Sequence, residues 1–113
     1  MNETISLLHS FQKKLEITPL KLSYLNNESV SIDLLRLDLM HPTLSGNKWF
    51  KLQYQLQQAI QQGKDTLLSF GGAYSNHLHA MAFTGKQTGF KTIGIIRGEQ
   101  VQNATLQDCV NWG

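Results

Sequence analysis

The sequence predicts an α/β fold, in which a parallel sheet with flanking helices follows the order β-α-β-α-β-(α) from residue 30 onward. Short apolar runs at 66–70 and 90–97 are typical of buried strands. The segments before and after each run show helical periodicity, and glycines stand at their ends. Strands that alternate with helices in this way form parallel sheets whose faces are covered by the helices.

The first part of the chain is predicted to lead into this sheet. Residues 4–16 carry Ile5, Leu8, Phe11 and Leu15 at spacings of three and four, which indicates an amphipathic helix. The segment 18–20 reads as extended, because proline disfavours the helical conformation in the residue before it. Residues 26–28 have the composition of a turn.

A strand is then expected over 30–40, where apolar side chains alternate and both faces are predicted to be covered. A loop over 41–46 follows. The next helix should begin at 46–48, with Ser45 or Asn47 as its cap, and should end at Gly63. Its predicted buried stripe consists of Trp49, Leu52, Leu56, Ala59 and Ile60.

One further helix follows each of the second and third strands. The strand at 66–70 breaks at Gly71 and Gly72 into a predicted turn, and a helix runs from about Ser75 to the stop at Gly89. After the strand at 90–97, a helix starts near Asn103, and the chain ends inside it.

Composition limits the classes of function. The chain has 113 residues, of which 41% are hydrophobic and 16% charged, and this is enough for one core. A net charge of +2 with scattered basic residues argues against nucleic acid. No apolar run approaches the roughly 18 residues of a membrane span, and no leader pattern is visible. One cysteine, Cys109, excludes an internal disulfide, so a cytoplasmic protein is expected.

The stretch 69–77, Ser-Phe-Gly-Gly-Ala-Tyr-Ser-Asn-His, is the first candidate site. A strand, a glycine turn and a helix N-terminus in that order present backbone N–H groups at the end of the strand, where open α/β sheets bind ligands. The stretch therefore predicts a site for an anion or carboxylate. The alternative is that Gly71 and Gly72 only permit a tight turn.

Lys48 is the second candidate. At 100° per residue it falls at the edge of the buried stripe, on the side of Leu52, whereas Lys51 points away. The alternative is a lysine whose aliphatic stem covers apolar surface while its ammonium stays in water. A lysine at the positive end of a helix dipole is mildly unfavourable, so we expect a compensating reason for a lysine at this position.

Other chemistries lack support in the sequence. His77 and His79 lie about 200° apart on the predicted helix and cannot share an ion, so no metal site is expected. Ser75 and His77 do not face each other on a helix and therefore do not form a nucleophile–base pair. The sequence also lacks a phosphate-binding glycine loop of the nucleotide-binding type.

Three motifs carry a resemblance to a known family. They are Arg36-Leu-Asp38, Ser45-Gly-Asn-Lys-Trp-Phe-Lys-Leu52, and Phe70-Gly-Gly-Ala-Tyr-Ser-Asn-His77. In their order and separation they resemble the pyridoxal-phosphate enzymes of the 1-aminocyclopropane-1-carboxylate deaminase and D-cysteine desulfhydrase family, which share a fold group with the tryptophan synthase β chain. The likeness extends from residue 18 to residue 112.

The resemblance implies roles for four residues. Lys48 is the counterpart of the lysine that holds pyridoxal 5'-phosphate as a Schiff base and moves protons on the substrate. Asn76 is the counterpart of the residue that bonds the cofactor's ring hydroxyl. Ser75, Asn76 and His77 would bind the substrate carboxylate, with Ser75 joining Lys48 as a catalytic residue.

The resemblance also implies a function. Residues 1–113 would be the N-terminal portion of the catalytic region of a two-domain enzyme of amino-acid metabolism. This enzyme would be a lyase or deaminase that acts on a small amino acid, homodimeric at full length and inactive as this portion. Deaminases of the family typically have glutamine where this chain has His77, which favours a D-cysteine desulfhydrase or an unassigned branch of the family. The alternative is a non-catalytic α/β module that binds a small carboxylate.

Overall fold

The structure is a computed structural model that describes residue 10 and residues 15–23, 29–99 and 101–113. The predicted helix over 4–16 lies almost entirely outside these residues, and the predicted turn at 26–28 lies wholly outside them.

The described chain forms four strands in two small sheets, three α-helices and one short 3-10 helix. In chain order these are β1 (Ile17–Pro19), β2 (Asp33–Leu35), the 3-10 helix (Leu37–Leu39), α1 (Lys48–Gln61), β3 (Thr66–Gly72), α2 (Asn76–Thr88), β4 (Lys91–Arg97) and α3 (Ala104–Trp112).

Strands β3 and β4 form the parallel sheet that the sequence predicts. Their register pairs Thr66 with Lys91 and Gly72 with Arg97, and α2 connects them. A parallel pair needs such a crossover, because its two strands cannot be joined by a hairpin. The α/β class and the parallel pairing are therefore confirmed.

The predicted strand over 30–40 is wrong in its length and its place. Only Asp33–Leu35 is extended, and it pairs antiparallel with β1 in a sheet separate from β3 and β4. All three of its residues are exposed, so neither face is covered. The strand is followed by the 3-10 helix Leu37–Leu39. The guanidinium of Arg36 donates two hydrogen bonds to the carboxylate of Asp38, at 2.9 and 2.7 Å. The polar residues between the leucines thus shorten the strand.

The predicted glycine turn is also displaced. Gly71 and Gly72 are the last residues of β3, and the turn comes after them, closed by the Ser75 amide donating to the Gly72 carbonyl at 3.1 Å. A Cβ at Gly71 would lie 2.6 Å from Ser75 Oγ and 2.8 Å from Leu78 Cδ1. Gly71 is therefore required for the close approach of α2 to the strand.

The helix ends follow the sequence closely. The Ser75 hydroxyl accepts from the Leu78 amide at 3.2 Å at the start of α2, and Gly89 ends this helix with a φ of 77°. Asn103 caps α3 by accepting from the Leu106 amide at 2.8 Å. Asn47 precedes α1, but its side chain makes no cap bond.

The core lies between the facing sides of α1 and α2, under the loop that leads into α1. Four residues of the predicted stripe are buried as expected, and Ile60 is only partly buried. The buried cluster consists of Met40, Leu44, Trp49, Leu52, Leu56, Leu78, Ala80 and Met81. The two helices are thereby fixed with their N-terminal ends on one side of the core.

None of the helices in the described part of the chain is long and apolar enough to cross a membrane.

Candidate functional site

A cleft of about 350 Å³ lies where the N-termini of α1 and α2 meet. Lys48 is the first residue of α1, and Asn76 is the first residue of α2. The cleft is lined by Pro42, Thr43, Ser45, Gly46, Lys48, Asn76 and His79. Two motifs that are far apart in the sequence therefore meet in one cavity.

The electrostatics of the cleft favour an anion. Each helix N-terminus carries a partial positive charge and unpaired backbone N–H groups, and Lys48 adds a full charge. No Asp or Glu of the described residues lines the cavity. A carboxylate or phosphate group is the ligand that such a charge distribution suits.

The loop over 41–46 forms one wall of the cleft. His41 Nδ1 accepts from the Thr43 amide at 3.0 Å and from the Leu44 amide at 3.2 Å, which folds the loop back on itself. The His41 ring also packs on Phe83 of α2, with 5.1 Å between ring centroids. This contact joins the loop to the helix that carries Asn76.

Lys48 is partly buried and lines the cleft, whereas Lys51 is exposed. Lys48 Nζ donates to Asn47 Oδ1 at 3.1 Å. Lys48 directly precedes Trp49, the first buried residue of the predicted stripe. Its chemical role stays a prediction.

Ser75 lies beside the cleft, and its side chain caps the N-terminus of α2. Its hydroxyl oxygen accepts the cap bond from the Leu78 amide, and its side chain fills the space that Gly71 leaves open. The hydroxyl hydrogen can still be donated, because the cap bond uses only an oxygen lone pair. Asn76, the next residue, is exposed and lines the cleft.

His77 faces a different cavity. Its Nε2 lies 3.0 Å from the hydroxyl of Ser69 on β3, and it lines a cavity of about 270 Å³ together with Leu52, Ser69 and Met81. Partial burial lowers the pKa of His77 from its usual value, and the charges of Lys48 and Lys51 lower it further. Of the four predicted residues, the structure thus brings only Lys48 and Asn76 into one cavity.

Sequence reasoning missed His79 as a residue of the cleft. His79 lies three residues after Asn76, which places the two on one face of a helix. Its Nε2 is 2.9 Å from Asp108 Oδ2 of α3, and no pattern in the sequence predicts this pair. Among the described residues, no group of three or more His, Cys, Asp or Glu side chains could hold a metal ion.

Comparison with known proteins gives a consistent set of relatives, although no family model matches the chain. The chain is 39% identical over 77 residues to a Thermotoga maritima protein, a match that covers 67% of this chain and 25% of that protein. It is 33% identical over 101 residues to a Pyrococcus furiosus protein, with coverages of 84% and 30%. Both relatives carry the name "Putative 1-aminocyclopropane-1-carboxylate deaminase".

A third relative is the 1-aminocyclopropane-1-carboxylate deaminase of Rhizobium leguminosarum, which is 44% identical over 52 residues. That match covers 46% of this chain and 15% of the relative. The chain therefore spans less than a third of the length of these relatives. These similarities confirm the family that the motifs around Lys48 and Asn76 predict: by sequence, this chain is a member of the 1-aminocyclopropane-1-carboxylate deaminase family and spans a part of such a protein.

Proposed function

We propose that this chain carries the cofactor-holding lysine of a pyridoxal-phosphate-dependent deaminase or lyase that acts on a small amino acid. The observation that supports this function best is the meeting of Lys48 and Asn76 in one cleft between two helix N-termini. The cleft has the charge that an anionic cofactor and an amino-acid carboxylate require. The family of the relatives points to the same chemistry.

Lys48 is proposed to hold the cofactor covalently through Nζ. A lysine attacks a carbonyl carbon only as the neutral amine, so its ammonium must first lose a proton. When bound, pyridoxal phosphate supplies an electron sink for the α-carbon of an amino acid. The Lys48 amine, which lines the same cleft, would be the group that moves a proton at that carbon.

Asn76, Ser75 and His77 are proposed to orient the bound groups. The Asn76 amide lies in the cleft and would donate to the ring hydroxyl of the cofactor. The Ser75 hydroxyl hydrogen and the amides at the start of α2 would bind the substrate carboxylate. His77 would support the Ser75–Asn76 segment from the strand side, through its bond to Ser69.

The identity of the substrate, the oligomeric state and the location are the more specific parts of the proposal. The relatives named above carry the name 1-aminocyclopropane-1-carboxylate deaminase, two of them as putative, whereas His77 favours D-cysteine as the substrate. A homodimer is what the family resemblance implies, and a cytoplasmic location is what the single cysteine favours. We expect residues 1–113 expressed alone to be inactive, because the relatives are more than three times as long as the part that matches.

Replacement of Lys48 and of Lys51 by alanine tests the proposed function in a full-length protein that contains this sequence. Lys48→Ala should abolish the absorbance band of the lysine-bound cofactor, whereas Lys51→Ala should retain it, because only Lys48 lines the cleft. Mass spectrometry after borohydride reduction should find the cofactor on residue 48. A borohydride-reducible attachment in the Lys48→Ala protein would disprove the assignment.

The same proteins distinguish the alternative, a non-catalytic module that binds a small carboxylate. The positive cleft by itself would suit such a ligand. Under this alternative, the wild-type protein would bind carboxylates in a calorimetric titration and take up no pyridoxal phosphate.

A further inference from the structure

His79 occupies a position in the cleft that the proposed function does not use. It lines the cavity with Lys48 and Asn76, and it lies one turn after Asn76 on the same face of α2. A ligand large enough to contact both Lys48 and Asn76 therefore has the His79 ring among its neighbours.

The His79 ring is held on two sides by α3. Its Nε2 lies 2.9 Å from Asp108 Oδ2, and its centroid lies 4.6 Å from that of Trp112. Trp112 in turn packs edge-on against Phe83 of α2, at 5.3 Å. The His79 side chain is 22% exposed. A ring fixed in this way loses little conformational entropy when a ligand binds, which is the advantage of a preorganised contact.

The bond to Asp108 also decides which ring nitrogen is available. A carboxylate oxygen only accepts hydrogen bonds, so Nε2 carries the proton in this pair and donates it to Asp108. Nδ1 is then the nitrogen that remains for a further partner. It accepts a hydrogen bond in the neutral ring and donates one in the protonated ring.

We propose that His79 is a third ligand-contacting side chain of the Lys48–Asn76 cleft, that it meets the bound cofactor through Nδ1, and that Asp108 is its positioning residue. This inference rests on the proposed function, since it takes the cofactor to occupy the cleft. The competing explanation is that the His79–Asp108 pair only ties α3 to α2. That explanation predicts an effect on stability and none on the ligand.

Nitrogen NMR of the histidine rings separates the two explanations. Full-length cofactor-free protein with ¹⁵N-labelled histidine is titrated with pyridoxal 5'-phosphate, and the His79 signals are identified by their absence in His79→Phe. We expect the tautomer protonated at Nε2 before the titration, and a shift of the His79 Nδ1 signal when the cofactor binds. If the His79–Asp108 pair only joins α3 to α2, the chemical shift of that signal should not change.

Cofactor affinity supplies the second measurement. His79→Phe keeps an aromatic ring against Trp112 and removes both nitrogens, and it should weaken cofactor binding about three- to tenfold, the value of one hydrogen bond. Asp108→Ala should weaken binding in the same direction by releasing the ring. The matched control is Asp65→Ala, which removes an exposed carboxylate 3.8 Å from Lys91 and should change nothing.

The outcomes distinguish a failure of the inference about His79 from a failure of the proposed function. If the wild type takes up the cofactor on Lys48 while the His79 signal stays fixed and His79→Phe binds as the wild type does, this inference alone is overturned. If the wild type takes up no cofactor, the proposed function falls, and this inference falls with it. Should His79→Phe fail to fold, His79→Gln supplies the signal assignment, and the wild-type NMR titration together with Asp108→Ala decides the question.

Discussion

At the scale of single residues, Ser75 and Asn76 are neighbours in sequence with different surroundings. The Asn76 side chain lines the cleft, whereas the Ser75 hydroxyl caps α2. In the full-length protein, Asn76→Ala should shift the resting cofactor spectrum without substrate, because it removes a hydrogen bond worth about 1.5–3 kcal/mol to a charged oxygen. Ser75→Ala should leave that spectrum unchanged and weaken amino-acid binding.

Resting spectra and amino-acid titrations of both variants check this division of roles. Because Ser75 also caps the helix, its variant should lose about 1 kcal/mol of stability, so Ser75→Asn, which can still cap, is the matched control. An equal disturbance of the resting spectrum by Ser75→Ala and Asn76→Ala would contradict the division and make the turn one cofactor clamp.

His77 should make the protein less stable in mild acid. Burial and the nearby lysines lower its pKa in the folded state. Above the unfolded-state pKa of about 6.5 the ring is neutral in both states and contributes no pH dependence. As the pH falls below that value, the unfolded state binds the proton first, so stability decreases until the folded-state pKa is passed. An NMR titration should place the pKa of His77 below 6.5, and a value above 6.5 would contradict the prediction.

At the scale of elements, the packing of α2 on β4 depends on Gly85. A Cβ at this position would collide with Thr92 Cγ2 and lie 2.9 Å from the Phe90 carbonyl oxygen. Gly85→Ala should therefore force the helix away from the strand and destabilise the protein by about 1–3 kcal/mol, despite the better helix propensity of alanine. The midpoint of urea unfolding measures the loss.

Gly72→Ala is the matched control for Gly85→Ala. Gly72 lies at the end of β3, and a Cβ there would have no atom within 4 Å. Its unfolding midpoint should stay close to that of the wild type. A Gly85→Ala protein as stable as the Gly72→Ala protein would show that the helix and strand can separate without cost.

The elements also show where sequence patterns succeed. Helices α1 and α2 and strands β3 and β4 were predictable, because caps, glycine stops and β-branched runs act locally. The strand at 30–40 was not, since alternation of apolar residues does not reveal whether a neighbouring strand covers them. Leu34 and Leu35 are 47% and 49% exposed, and the only pairing partner of β2 within the described chain is the short β1.

At the scale of the whole molecule, the parallel sheet leaves much apolar surface in contact with water. Five apolar side chains of β3 and β4 are between 37% and 68% exposed: Leu68, Phe70, Ile93, Ile95 and Ile96. The radius of gyration is 17.4 Å, whereas a compact domain of this length has about 13 Å. Both observations indicate that the described part of the chain buries less surface than a self-sufficient domain.

Residues 1–113 expressed alone should therefore associate or remain loosely packed. Two parallel strands leave open edges, and exposed apolar patches promote association. Size-exclusion chromatography with light scattering and a thermal melt measure this. A monodisperse monomer with a sharp, cooperative transition would contradict the prediction, and the full-length protein measured in parallel is the control.

The sequence by itself predicted the helices and strands from residue 48 onward, the family, and a set of four candidate site residues that includes Lys48 and Asn76. These predictions follow from local rules of capping and periodicity and from short, contiguous sequence motifs. Only the tertiary structure decided that His77 turns to Ser69 and away from the cleft, and that His79 enters the cleft held by Asp108. The physical reason is that these contacts depend on where β3 and α3 lie relative to α2, and packing between elements distant in sequence sets that position.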